Sequence, residues 1–566
     1  MVAISPKLRK LALAAALFVA GGLISAQALA AKAPERLPNE ELTEPILFGL
    51  LLGEIAAQRG DSALAAKTYI ELAKRTRDPR IARRAVEIAN YARMPKLALE
   101  AAMLWHQVDP GSAAALQMVT MYLVADRHVD QAEPYLEKLI SASNTKPEKV
   151  FMQLNQLLAG NPDKTANLRV VRKLAAKYPD LANAHFAIAQ AAVAAGDESL
   201  ATREIRRASE LRPDWGLAAV FEARILLNKS PDKADRLLEK FLAKYPDQNV
   251  RMSYARLLVS EKRYAKAKQQ FEKLLAANPE NTEIIYAVGL LAFQLKDYAT
   301  ADASIRRLLD LGYRDPDGAR YLLGEIAEAQ KNWPRAIAWY EKIQSGNHFL
   351  PSRLRAAQAM AKEGKLDAAR EYLHSIKVGS KADETQIVIA EAQLLRDADK
   401  SGKAFDVLED ALKKQPDQPE LLYDLALTAE KLGRYKLSEQ SLRKVIKLKP
   451  DYAHAYNALG YSLADRGQRL PEARRLIEKA LELRPNDSYI IDSMGWVMYR
   501  QGDLQAAVGY LRRAYNDQHD AEIGAHLGEV LWVQGRHDEA RRVWDQALKT
   551  HPDNEVLRET VRRFEP

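Results

Sequence analysis

The chain contains no cysteine, and aromatic residues make up only 7% of it. Without cysteine there is no disulfide, no thiol nucleophile and no thiolate for a zinc site. An exported chain of this composition also has no residue to carry the lipid of a bacterial lipoprotein. No glycine-rich loop ending in Lys and Ser or Thr is present, and no His-Glu-x-x-His helix; both are hallmarks of common catalytic sites. The ten histidines are scattered. His519, His526 and His537 lie closest together, but without the spacing of metal ligands, and surface or capping roles are expected for them. Carboxylates are spread throughout, so no pair stands out as acid and base. These absences point away from an enzyme, a cofactor or a metal.

Charge is equally undifferentiated. The net value of +9 includes Lys7, Arg9 and Lys10 at the start, with no acid among the first thirty residues, which leaves the remainder near +6. Acids and bases alternate along the rest, the pattern of a solvated helical surface, and nucleic acid is not an expected partner. Alternating β-branched runs bounded by turn signals are missing too, which argues against strands.

What is present is Ala, Leu, Lys, Arg and Glu, side chains that lose little freedom in a helix. The first thirty residues read differently. A basic start, the 14-residue apolar run Leu11–Ile24 and the small-x-small ending Ala28-Leu29-Ala30 predict a secretory signal cut after Ala30. That run is shorter than the roughly 20 residues a membrane span needs, and no later stretch reaches that length. The expectation is a periplasmic protein of a Gram-negative cell, soluble, with no lipid anchor and no transmembrane segment after cleavage.

The mature sequence repeats. With Gly528 as a marker, the same frame recurs at Gly495, Gly460, Ala426, Ala392, Ala357, Gly324, Gly289, Ala255, Ala223 and Ala189, then at Val86 and Gly53. Gly53 and Gly528 are 475 residues apart, fourteen steps of close to 34. Each step carries Leu-Gly or its equivalent, then two small residues seven apart around a large one (Ala540, Trp544 and Ala547 in the last), then a proline (Pro552). This order and period resemble the tetratricopeptide repeat. The resemblance implies an all-α, right-handed superhelical solenoid of about fifteen helix-turn-helix units with a C-terminal capping helix. Gly53, Gly289, Gly324, Gly460, Gly495 and Gly528 on helix A, with Ala540 and Ala547 on helix B, are then the close-packing positions. The boundaries read as signal 1–30, linker 31–45, N-terminal units 46–112, degenerate units 113–180 at which the stack can bend, a central array 181–416, the best-matching units 417–552 and a capping helix 553–566.

The positions three before, one after and four after each marker line the concave side of such an array. In the last units they hold Tyr423, Asn457, Tyr461, Asp492, Trp496, Tyr499, Glu529 and Trp532, with Tyr286, Phe293, Tyr321 and Glu325 farther up. Rings with a polar edge, interleaved with Asp, Asn and Glu, suit an extended peptide partner. Alternatively these rings only stack one repeat on the next.

A narrower resemblance rests on "LTEPILFGLLLGEIAAQRGDSALAAKTYIELAKRTRDPRIARRAVEIANYAR", "DSMGWVMYRQGDLQAAVGYLRRAY" and "HLGEVLWVQGRHDEARRVWDQALKTHPDN". These stretches are similar to the large tetratricopeptide proteins of the proteobacterial envelope. One branch of that group is an outer-membrane lipoprotein that delivers cell-wall hydrolases to a carboxy-terminal processing protease. The resemblance implies a non-catalytic adaptor with those protein partners, although the missing cysteine means that the lipid anchor does not carry over. An assembly scaffold for exopolysaccharide or outer-membrane export machinery, and a saccharide-binding solenoid, are the alternatives.

Overall fold

A computed structural model of the protein describes residues 41–141, 146–227 and 229–565. The signal reading of residues 1–30, and most of the linker, lie outside these. Among the described residues there are 31 α-helices and no strand, and no helix is long and apolar enough to cross a membrane. In sequence the helices alternate as A and B of successive hairpins and finish with Glu555–Phe564.

The chain forms two compact units, whose described parts fall within residues 41–297 and 298–565. Hairpins in both are built alike. Helix starts are fixed by short polar side chains: Asp197, Asp247 and Asn281 in the first unit, and Asn332, Asp503 and Asp520 in the second, accept backbone N–H groups that would otherwise be orphaned. All thirteen markers named above lie on an A helix and are buried. Seven residues after each of them except Ala223, the backbone takes a positive φ, from Gly60 (82°) and Arg93 (55°) in the first unit to Gly502 (89°) and Gly535 (82°) in the second. There the helix closes with Gly535 N–H donating to the Trp532 carbonyl and Arg536 N–H to that of Leu531, both at 2.9 Å, the left-handed cap that stops a helix tightly.

Residues 113–180, where the markers fade, also hold two hairpins: Ala113–Ala125 with Val129–Ser141, and Pro147–Leu157 with Lys164–Ala175. Arg127 has φ of 63°, which identifies Thr120, fully buried, as the missing marker. The next place in the period is Leu154, also fully buried. A larger residue at the marker leaves less room opposite, and helix B there carries Ala166 and Val170, 4% and 2% exposed. The repeat is degenerate in sequence because volume has moved across the interface while packing is preserved.

The first and last helices differ. Glu44–Gln58 exposes Leu47, Phe48, Leu51 and Ile55, with Phe48 66% exposed. Glu555–Phe564 turns Leu557 inward and leaves Glu555, Arg558, Glu559 and Arg562 in solvent.

Candidate protein-binding groove

The close-packing positions come first, because they set how near the helices lie. A Cβ on Gly528 would fall 2.0 Å from Nε1 of Trp544, on Gly495 2.5 Å from Cγ of Leu511, and on Gly460 2.6 Å from Cγ1 of Ile477. In the same unit Gly324 faces Tyr340 at 2.3 Å, and in the other unit Gly53 faces Tyr69 at 2.7 Å. Gly289 is buried on its helix, and Ala540 and Ala547 are 0% and 1% exposed on helix B. The large helix-B residue therefore sits directly over the missing side chain of helix A.

This close approach turns the neighbouring stripe of helix A toward the adjoining repeats. Asp492, Trp496 and Glu529, expected to line an open groove, are instead 6%, 6% and 7% exposed. Each is engaged by a neighbouring repeat. The Trp496 indole N–H donates to Asp465 Oδ1 at 3.2 Å, and the ring stacks on His526 with centroids 4.3 Å apart. Glu529 accepts from the Tyr499 hydroxyl at 3.2 Å and also pairs with Arg563 of the last helix. Both oxygens of Asp492 lie 3.0 Å from His526 Nδ1. The polar atoms of these three are already engaged between repeats.

The remaining five are half-buried. Tyr423 packs edge-on against Tyr452 at 5.4 Å. Asn457 Oδ1 is buried without a hydrogen-bond partner in the protein. Tyr461 OH is 3.4 Å from His526 Nε2, and burial, followed by Asp465 and Asp492, raises its phenol above the ordinary tyrosine value. Tyr499 also lies against Trp496 at 5.1 Å. Trp532 contacts Trp544 and Phe564, at 5.7 and 6.4 Å, with the Arg541 guanidinium 5.3 Å from its centroid. Farther up, Tyr321 packs on Tyr340 at 5.5 Å, and Glu325 pairs with Arg355 at 2.8 Å. Tyr286 and Phe293, in the other unit, are half-buried.

His526 is where the sequence reading fails. It is neither a surface nor a capping residue: its side chain is 12% exposed and it sits at the centre of the cluster. Burial by itself would lower its pKa, but the Asp492 carboxylate, with Glu522 and Glu529, outweighs this and raises it. A signal did exist. Asp492 and His526 are 34 residues apart, Trp496 and Asp465 are 31, and Tyr499 and Glu529 are 30, each close to one period. His537 instead meets the Trp532 ring edge-on at 4.2 Å, and His519 lies 4.9 Å from Tyr515.

Comparison with known proteins agrees with this architecture. Residues 227–282, 255–317, 286–348, 389–453 and 423–488 match one description of the tetratricopeptide repeat, and residues 498–560 match a second. A TPR repeat-containing protein of Pseudomonas aeruginosa is 34% identical over 528 residues, spanning 92% of this chain and 88% of its own length. Cellulose synthase operon protein C of Pseudomonas fluorescens is 23% identical over 45% of this chain, a match that takes in 22% of that protein. Among solved structures, a TPR protein of Thermus thermophilus is 26% identical, covers 32% of this chain and 97% of its own, and has a TM-score of 0.30. A sequence that repeats every 34 residues, folds into A/B hairpins closed on small marker residues, and matches its relative nearly end to end belongs to the tetratricopeptide repeat family.

Proposed function

We propose that the chain is an exported adaptor, without catalytic activity of its own, that holds protein partners along the groove of its last four repeats. Tetratricopeptide repeat proteins bind protein partners, and that coarse reading follows from the family. The observation that carries the finer one is the run of half-buried polar rings and amides at matching places on successive A helices: Tyr423, Asn457, Tyr461, Tyr499 and Trp532. The aromatic rings among them offer contact area at low entropic cost.

In this reading the partners are a carboxy-terminal processing protease and the cell-wall hydrolases it consumes. The resemblance of the opening repeats and the last two to envelope adaptors supports the assignment. The basic and apolar start of the sequence supports a periplasmic location. A photo-crosslinking amino acid at Leu427, which is 38% exposed one place after the Ala426 marker, tests this in living cells. A second at Tyr499 probes the next part of the groove. Capture of a processing protease or a cell-wall hydrolase from these positions, and not from a probe at Arg562 on the exposed side of the last helix, is the expected outcome. Capture only from Arg562 sinks the groove assignment.

A second reading draws on the partial similarity to cellulose synthase operon protein C: an assembly scaffold for exopolysaccharide export. It predicts that the same probes crosslink to export components. A purified glycan that binds without any protein partner would favour a saccharide-binding solenoid instead.

A further inference from the structure

Repeat arrays are close to one-dimensional, with each repeat touching only its neighbours. One side chain here reaches further. His526, on helix Ala521–Val533, holds both oxygens of Asp492 through Nδ1 at 3.0 Å, and Asp492 belongs to the preceding repeat. Its Nε2 lies 3.4 Å from the hydroxyl of Tyr461, two repeats back and 65 residues away in sequence. Trp496 closes over the imidazole at 4.3 Å, and its own N–H is bound to Asp465, on the helix of Tyr461. A single imidazole thus links the A helices Ala453–Asp465, Ser488–Arg500 and Ala521–Val533.

We propose that His526 is a protonation-controlled clasp: its imidazolium fixes the spacing of these three repeats, and loss of the proton releases them and reshapes the groove.

The chemistry lies in what surrounds the ring. Asp492 and Tyr461 face it directly, Asp465 is held at the edge of the covering indole, and Glu522 and Glu529 lie on its own helix. Glu529 is neutralised by Arg563 from the last helix. Among the described residues Asp492 pairs with His526 alone. Protonated, the ring donates from Nδ1 to Asp492 and from Nε2 to the Tyr461 oxygen. Neutral, it can still donate from Nδ1, but Nε2 becomes an acceptor and the Tyr461 O–H must turn to donate to it. The Asp492 charge is then left in a nearly dry site with no cation, which is unfavourable. Geometry therefore prefers the protonated form, and the upward displacement of the His526 pKa by Asp492, Glu522 and Glu529, against burial, agrees. The folded protein holds this proton more tightly than the unfolded chain, whose histidine titrates near 6.5. The clasp stabilises fully below that value and is lost as pH rises through the folded one.

The clasp does not depend on what the groove holds, and its test needs only the free protein. Histidine carbon NMR of the full mature chain, with His526→Gln to assign the resonance, is expected to show His526 titrating above the ordinary histidine value. Titration at or below that value overturns the proposal. Because the chain has no cysteine, Lys447→Cys, on the helix just before the clasped repeats, and Lys549→Cys, on helix B of the His526 hairpin, take spin labels cleanly at exposed positions. The label-to-label distance distribution is expected to shift or broaden between pH 6 and pH 9 in the otherwise native chain, and to stay constant in His526→Gln. Should that substitution unfold the C-terminal repeats, Asp492→Asn serves as the control, with the same constancy expected. Identical distributions for the native pair at the two pH values would falsify the clasp.

Discussion

Gly528 lies directly beneath the indole of Trp544, so close that a Cβ at 528 would approach Nε1 to 2.0 Å. Trp544 is 1% exposed and is flanked by Trp532 and Phe564, so it has nowhere to retreat. Gly528→Ala is therefore expected to destabilise the last repeats by about 2–3 kcal/mol, the upper range for overpacking a dense core. Gly535→Ala meets no atom within 4 Å but must adopt a φ of 82°, and backbone strain alone is expected to cost about 1 kcal/mol. Urea unfolding followed by tryptophan fluorescence separates the two. Equal effects would mean the close approach is not the constraint.

Lys262, Lys296 and Lys331 take φ of 59°, 62° and 58° at the place that Gly535 occupies in the last repeat. Replacing any one with glycine removes left-handed strain, and a gain of about 0.5–1 kcal/mol each is expected after glycine's own entropic penalty. A shift of the urea midpoint to higher concentration is the readout. A lower midpoint in all three would contradict it.

The two ends respond differently to truncation. Phe48 is 66% exposed, whereas Leu557 is fully buried. Phe48→Ala is expected to change stability by no more than about 0.5 kcal/mol, while Leu557→Ala should cost about 2–4 kcal/mol through lost burial and a residual cavity. Differential scanning calorimetry of the two variants checks the contrast. A large loss at Phe48 would mean that its face is covered in solution.

Trp496 tests whether stacking and binding can be separated. Trp496→Phe keeps a ring against His526 but removes the N–H donated to Asp465, and should cost about 1–2 kcal/mol with partner capture at Leu427 unchanged. Loss of capture in a variant that remains folded by circular dichroism would return Trp496 to the binding surface.

Much of the fold is legible in the sequence alone. The all-helical class, the 34-residue period and the burial of marker residues such as Gly528 and Ala426 follow from local sequence, because one hairpin's small residues and turn are set within a single repeat. Leu154 escaped because its packing depends on volume exchanged with a facing helix, and Thr120 because it stands where the other markers are mostly Gly or Ala. Only the left-handed backbone at Arg127 reveals the register there.

The last repeats show the other limit. Sequence spacing assigns Asp492, Trp496 and Glu529 to the same stripe as Tyr461 and Tyr499. Which members of that stripe remain open is decided by how adjacent A helices lean on one another, a relation between residues some thirty apart that no single repeat contains. Tertiary structure buries those three and gathers His526 between Asp492 and Tyr461, so that a scattered histidine becomes the hydrogen-bonded centre of a buried cluster. The sequence by itself determined the repeat; the stacking of repeats decided which of its polar groups face water.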